Sequence, residues 1–191
     1  MQTRRQFSST ILLALSALSM PFVMAGCNVI DSILTWVPVG LTALQGIVTL
    51  LGPLIGPAAG IVLLIKAGFA DLSAALTDYK NDTNPADKNT LLAKIRTLLA
   101  DIVAHFQDFL AALNLGNNPI VNIVVGLVSI ILSAIEGFMG QLPQPTALTA
   151  SFHVGARQFT VTPKYYKRVS DFKRDFNSVA TANGHPEIAI K

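Results

Sequence analysis

The sequence predicts a mainly α protein: an apolar helical bundle over residues 27–140, followed by a small C-terminal β-hairpin plus helix (α+β) appendage over residues 141–191. Three observations predict it. Leu91, Ile95, Leu98, Ile102, Phe106, Phe109 and Leu113 recur at helical spacing, which places them on one face of a helix. Charge is sparse, with none between Asp31 and Lys66 or between Asp108 and Glu136, a composition far from that of a disordered chain. Composition then changes at Gln141-Leu142-Pro143-Gln144-Pro145, after which period-two alternation and a run of basic residues appear.

Taken in order, Asn28–Leu51 is mostly apolar and helix-compatible. Pro38 and Gly40 interrupt it, so the sequence predicts one short helix to Trp36 and a second from about Pro38. Gly52-Pro53-Leu54-Ile55-Gly56-Pro57 is a breaker cluster and predicts a tight connection. A helix follows from Ala58 to Tyr79. Asn84-Pro85-Ala86-Asp87 is a helix start, with a side-chain acceptor at the N-cap, proline in the first turn and an acid against the helix dipole. The row from Leu91 to Leu113 then predicts a helix over 85–115 with a buried face, and Gly116 stops it.

Asn118-Pro119 repeats the start signal, and the helix to Met139 is apolar nearly all round. Asn122, Gly126, Ser129, Ser133, Glu136 and Gly140 form one thin line of small and polar groups. In a packed bundle this line predicts an exposed strip, with Glu136 exposed on it. Beyond the linker, Leu148, Ala150, Phe152 and Val154 alternate with polar or small residues. Phe159 and Val161 do so after Gly155-Ala156, a hairpin pattern. Thr162-Pro163 predicts the start of a last helix carrying Tyr165, Val169, Phe172, Phe176 and Val179 on one face, and Ile188-Ala189-Ile190 predicts a third strand.

The first 27 residues carry a different message. Arg4 and Arg5 form a basic start, residues 8–23 are uncharged and mostly apolar, and Met24-Ala25-Gly26 leads to Cys27, the only cysteine. Basic, apolar and small-residue regions in this order make a secretory signal peptide. Thr3-Arg4-Arg5-Gln6-Phe7 resembles the twin-arginine export motif of bacteria, with Arg4, Arg5 and Phe7 as the matching residues. Ser8 and Ser9 depart from it, and ordinary n-region charges for general secretion are the alternative. Met24-Ala25-Gly26-Cys27 resembles the lipobox of bacterial lipoproteins. That resemblance implies cleavage before Cys27, acylation of its thiol and a cell-envelope protein facing the periplasm or exterior. Asn28 is not the aspartate that often retains such proteins at the inner membrane, which favours the outer membrane. A lone cysteine makes no internal disulfide.

Charge excludes some functions. The formal net charge is +3, but Arg4 and Arg5 leave with the signal, so 12 basic side chains face 11 acidic ones. Residues 27–140 carry five basic and eight acidic side chains, and residues 141–191 seven and three. No global basic field argues for nucleic acid. The C-terminal excess centres on Lys164, Lys167, Arg168, Lys173 and Arg174 beside Tyr165 and Tyr166. Anionic lipid or acidic wall polymer is the partner such a cluster suits. No metal or cofactor is expected. Asp101, His105 and Asp108 share one helix face, but no second His or Cys cluster completes a site. His153 and His185 are isolated, and no nucleophile elbow or phosphate-binding loop occurs, so no catalytic residues are expected.

Leu41–Ile65 and Asn118–Ile135 are long enough to be weighed as membrane spans. The Gly-Pro pairs split the first, and the polar face of the helix over 85–115 suits water, so a water-soluble bundle is favoured over inserted helices. The sequence therefore predicts a non-enzymatic, lipid-anchored envelope protein with a structural or partner-binding role. The alternative is a membrane-active or lipid-binding helical protein, an apolar-ligand carrier or pore-like assembly. The oligomeric state is not legible.

Overall fold

The computed structural model describes residues 20–113, 119–143, 151–154 and 157–191, with side chains described for 28–113, 119–143 and 158–191. The protein is mainly helical. Helix α1 spans Met20–Leu51, a 3-10 segment spans Gly52–Ala58, α2 spans Ala59–Asn81, α3 Pro85–Ala112 and α4 Pro119–Met139. Strands β1 (Ser151–Val154) and β2 (Arg157–Thr160) pair antiparallel, with Phe152 opposite Phe159, and β1 lies against α3. Helix α5 (Val169–Ala182) and a 3-10 turn at Pro186–Ile188 complete the chain.

Helix α1 corrects the first expectation, because it runs unbroken through Pro38. An interior proline costs about 3 kcal/mol. Pro38 is exposed, whereas Ile30, Ile33, Trp36, Val37, Leu44, Ile47 and Leu51 on the inner face are fully or nearly fully buried. Each such side chain gains roughly 1.5–3 kcal/mol on burial, so the packed face outweighs the break. The outer face is a line of uncharged groups from Thr35 to Thr49. The hydroxyls of Thr35, Thr42 and Thr49 donate to the carbonyls of Asp31, Pro38 and Gln45 one turn back at 2.8–2.9 Å.

Helices α2 and α3 form the most extensive helix pair. Their turn is built as the sequence predicts. The Asn84 side chain accepts from the Ala86 amide at 3.1 Å and donates to Asp87 at 2.7 Å, while Asp82 accepts from the Asn84 amide at 2.7 Å. On α3, Ile95, Ile102, Phe106 and Phe109 are buried as expected, as is Leu113 just past its end. Leu91 and Leu98 are not: both are half-buried, and Leu92, Leu99, Val103 and Leu110 are buried instead. The buried face is wider than a single row because α3 touches both α2 and α4. Gly116 lies outside the described residues.

Helix α4 runs through the middle of the molecule, in contact with α1, α3 and α5. Only Pro119 and Asn122 are exposed along it. It is long and apolar enough to cross a membrane, as is the stretch Asn28–Asn81, but most of α4 is enclosed by the protein itself.

Residues 161–191 share this core. Trp36 stands at its centre, with ring centroids 5.8 Å from Phe69 on α2, 5.4 Å from Phe138 on α4 and 5.5 Å from Phe172 on α5. Phe172, Phe176 and Ala180 are fully buried, and Ile188 and Ile190 nearly so. The last helix begins at Val169 rather than Thr162, because Thr162 and Lys164 bond to α4 in extended form instead. The third strand expected at residues 188–190 is absent; Pro186 starts a 3-10 turn there.

Candidate functional site

The basic residues of the C-terminal segment are positioned by the thin polar line of α4. That line is not an exposed strip. Ser133 donates its hydroxyl to the Thr162 carbonyl, and the Lys164 amide donates to the Ser133 carbonyl at 2.9 Å. One turn on, Gly137 lets the chain come so close that a β-carbon there would lie 2.3 Å from the Lys164 carbonyl carbon and oxygen. Small groups on α4 thus form a groove filled by the extended chain. Glu136, expected on the surface, is 3% exposed, because this segment covers its end of the helix.

The groove also fixes the residues just beyond it. Tyr165 packs edge-on against Phe138 at 5.8 Å, and its hydroxyl shares a 3.3 Å hydrogen bond with Ser32 on α1. Tyr166 turns inward against Phe172 at 5.5 Å and donates its hydroxyl to Asp175 at 2.9 Å. Lys164, Lys167 and Arg168 therefore surround the start of α5, with Lys173 and Arg174 one turn along it.

Three of the five cations, Lys164, Arg168 and Arg174, are brought together through Asp171 and Asp175 and are not free. Lys164 pairs with Asp175 and lies 4.9 Å over the Tyr166 ring. Arg168 and Arg174 hold opposite oxygens of Asp171 at 3.2 and 3.1 Å, and Arg174 reaches Asp175 at 3.5 Å. Lys173 donates to the Lys191 carbonyl. Among the described residues Lys167 has no ion pair. Such exposed pairs stabilise little, up to about 1 kcal/mol each. Their effect is to weaken the field: Asp171 and Asp175 offset two of the five positive charges.

Asp175 and Tyr166 are coupled. Burial acts to raise the Asp175 carboxyl, but hydrogen bonds from Lys164 and Tyr166 and the charges of Lys164 and Arg174 outweigh it, so it titrates below the usual range. Burial first, and then the bond to Asp175, push the Tyr166 phenol well above its ordinary value. A depressed carboxyl stabilises the fold above its unfolded value, about 3.9, and the contribution disappears as pH falls through the lower folded value. A raised phenol contributes below its unfolded value of about 10, and the contribution is lost as pH rises past it. Asp175→Asn should therefore flatten the acid limb of the stability profile below pH ~4. It should also lower the midpoint of phenolate absorbance assigned to Tyr166 by comparison with Tyr166→Phe. An unchanged acid limb and phenol titration would refute the coupling.

Asp101, His105, Asp108 and His185 form no shared site. Asp101 and Asp108 are exposed and His105 half-buried, and no group of three or more potential metal ligands occurs among the described residues. His185 Nδ1 lies 2.8 Å from Glu187 at the surface. That bond is the main cause of the lowered Glu187 carboxyl. The His153 side chain, and Arg4, Arg5 and Phe7, lie outside the described residues. Cys27 is within α1 by its backbone; its side chain is not described.

No family model, curated protein or solved structure matches this chain.

Two surfaces were missed in the sequence. An open depression of about 530 Å³ at the α2–α3 turn is lined by Asp78, Asn81, Asp82, Asp87, Thr90 and Leu91. Asp82 and Asp87 there are engaged in capping α3. The second is the α1–α2 end, where Leu63 is 67% and Leu64 52% exposed. The signal for it was the uncharged run from Asp31 to Lys66, which length alone assigned to a span or a core.

Proposed function

We propose that this chain is a non-enzymatic, lipid-anchored protein of the cell envelope, held through Cys27, whose bundle sits on the membrane and offers its basic end to an anionic partner. The observation that carries this reading is the start of α1. The helix is already formed at Cys27, and Val29 and Ile30 are buried in the core two and three residues later. Cleavage before Cys27 would leave a mature chain that begins on the first turn of the bundle. Acyl chains there would hold the bundle at the lipid surface with no flexible tether.

The basic cluster lies toward the same end. Tyr165 bonds to Ser32, five residues beyond Cys27, a rise of about 7.5 Å along the helix. Lys167 and Arg168 follow directly. One acyl signal plus a basic patch is a common combination for stable anchoring. In this reading residues 141–191, the hairpin and α5 together, form the part that meets anionic lipid headgroups or acidic wall polymer.

Two measurements test it. Intact mass of the membrane-extracted protein should show loss of residues 1–26 and added acyl mass on Cys27, and Cys27→Ser should release or misprocess it. An unmodified Cys27 refutes the anchor. Lys167→Glu combined with Arg168→Glu should weaken binding to anionic vesicles or wall polymer, which itself should fall with salt. Binding indifferent to both refutes the basic end as the contact surface.

A further inference from the structure

We propose that the α1–α2 hairpin tip, residues 50–64, is a lipid-inserting element that dips into the interfacial region of a bilayer. The site is separate from the acyl anchor: it lies at the far end of α1, 25 residues from Cys27 to Gly52, or about 37 Å of helix.

The tip has an unusual surface. From Ser32 to Ile65 the chain carries no charged side chain. Gly52, with φ of +49°, and the 3-10 segment Gly52–Ala58 turn the chain back on itself. The turn exposes Pro53, Gly56, Pro57, Ala59 and Gly60, with Leu63 and Leu64 beside them and Leu54, Ile55 and Ile61 half-buried. Leu63 and Leu64 are the large apolar side chains most open to water among the described residues. Leaving both in water forfeits the gain that burial brings, so an occupant is expected.

Three features select lipid. The first is the extent of the apolar cap. Lys66 Nζ donates to Gln45 Oε1 at 3.3 Å, a polar crosslink between the two helices. Ala59 lies seven residues from Lys66 and Leu51 six from Gln45, so about 10 Å of each helix beyond the crosslink carries no charge. With α1 lying along the bilayer, Cys27 and this cap meet the same surface, where interfacial elements bury their apolar face about 5–10 Å deep. The second is polar satisfaction. Thr49 returns its hydroxyl to the Gln45 carbonyl at 2.9 Å, and the Ala59 amide bonds the Gly56 carbonyl, which lowers the cost of leaving water. The third is shape. The exposed apolar groups lie on a chain reversal where two helices end, and lipid moulds to such a tip without a complementary surface.

The test reads position rather than overall binding, because the full chain carries a second uncharged, mostly apolar stretch at residues 8–23. Cys27 is the only cysteine, so Cys27→Ser allows a single polarity-sensitive label at Leu63→Cys or, 14 residues along the same helix, at the exposed Thr77→Cys. On phosphatidylcholine vesicles the label at 63 should shift to the blue, lose quenching by iodide and gain quenching by a spin-labelled phospholipid. The label at 77 should remain open to iodide. Equal iodide quenching at the two positions overturns the proposal. Shielding at 63 that persists without vesicles also overturns it, in favour of a second copy of the chain. In a companion variant labelled at Ala59→Cys, Leu63→Glu with Leu64→Glu should return the label to water; both leucines are exposed, so the fold is retained. Shielding that survives both glutamates overturns the proposal. The acyl anchor fails or stands separately, on the mass of Cys27 in the native protein.

Discussion

Truncating Phe172 to alanine is expected to destabilise the whole bundle by about 3–5 kcal/mol. Phe172 is fully buried and has its ring 5.5 Å from both Trp36 and Tyr166 and 6.2 Å from Phe176. Its removal leaves a cavity against α1, and the surrounding rings collapse into it only in part. Urea unfolding should show one transition shifted to lower concentration, by helical circular dichroism and by emission of Trp36, the only tryptophan. The control is on α3: Phe106→Ala should cost a similar amount, half-buried Leu98→Ala less, and exposed Lys94→Ala within roughly 0.5 kcal/mol. A Phe172→Ala protein whose helical transition did not move would show that residues 141–191 are a cap added to an independent bundle.

Gly137→Ala is the second large effect. The atoms that a new β-carbon would meet are backbone: the Lys164 carbonyl carbon and oxygen at 2.3 Å and the Tyr165 amide nitrogen at 2.6 Å. No rotamer change relieves this, so either α4 or the extended segment must move. Overpacking of this kind costs about 1–3 kcal/mol and sometimes more. The segment is the weaker partner, held by two hydrogen bonds to Ser133 and by the packing of Tyr165 and Tyr166. The Lys164 amide should lose its protection from hydrogen exchange, and Glu136 should gain access to water. Gly140→Ala makes the comparison: it is exposed, and its β-carbon would come no nearer than 3.5 Å to the Glu136 carbonyl oxygen. Equal protection in Gly137→Ala and wild type would show that the groove is not what holds the basic segment.

The two results bear on the proposed role as well as on the fold. If the groove sets the place of Lys164, Tyr165 and Tyr166, then Gly137→Ala disperses the basic end without touching a charge. Loss of anionic binding in that variant, with Lys167 and Arg168 intact, would tie partner contact to the seating of the segment on α4.

The sequence by itself determined what depends on neighbours a few residues away. Asn84-Pro85 starts α3 because the Asn84 side chain caps an amide two residues on. The row through Ile95, Ile102, Phe106 and Phe109 forms a buried face because a helix repeats every 3.6 residues. The apolar run from Pro119 to Met139 reads as helix, and the lack of charge between Asp31 and Lys66 is visible in the letters alone.

Tertiary structure decided the rest. Pro38 is a break by local rules, yet α1 continues because its inner face packs on α2, α4 and α5. Leu98 belongs to the row by spacing, but the second neighbour of α3 shifts burial to Leu99 and Val103. Glu136 and the small residues around it form a polar line by spacing. Whether such a line meets water or another strand depends on a segment that arrives about 30 residues later. The five basic residues add up to a patch in sequence; in space Asp171 and Asp175 stand among them and take part of their field. The bond between Ser32 and Tyr165, 133 residues apart, sets the basic end toward the start of α1. The physical reason is range: capping and periodicity act within one or two turns of backbone, while burial and ion pairing depend on which distant surfaces the folded chain brings into contact.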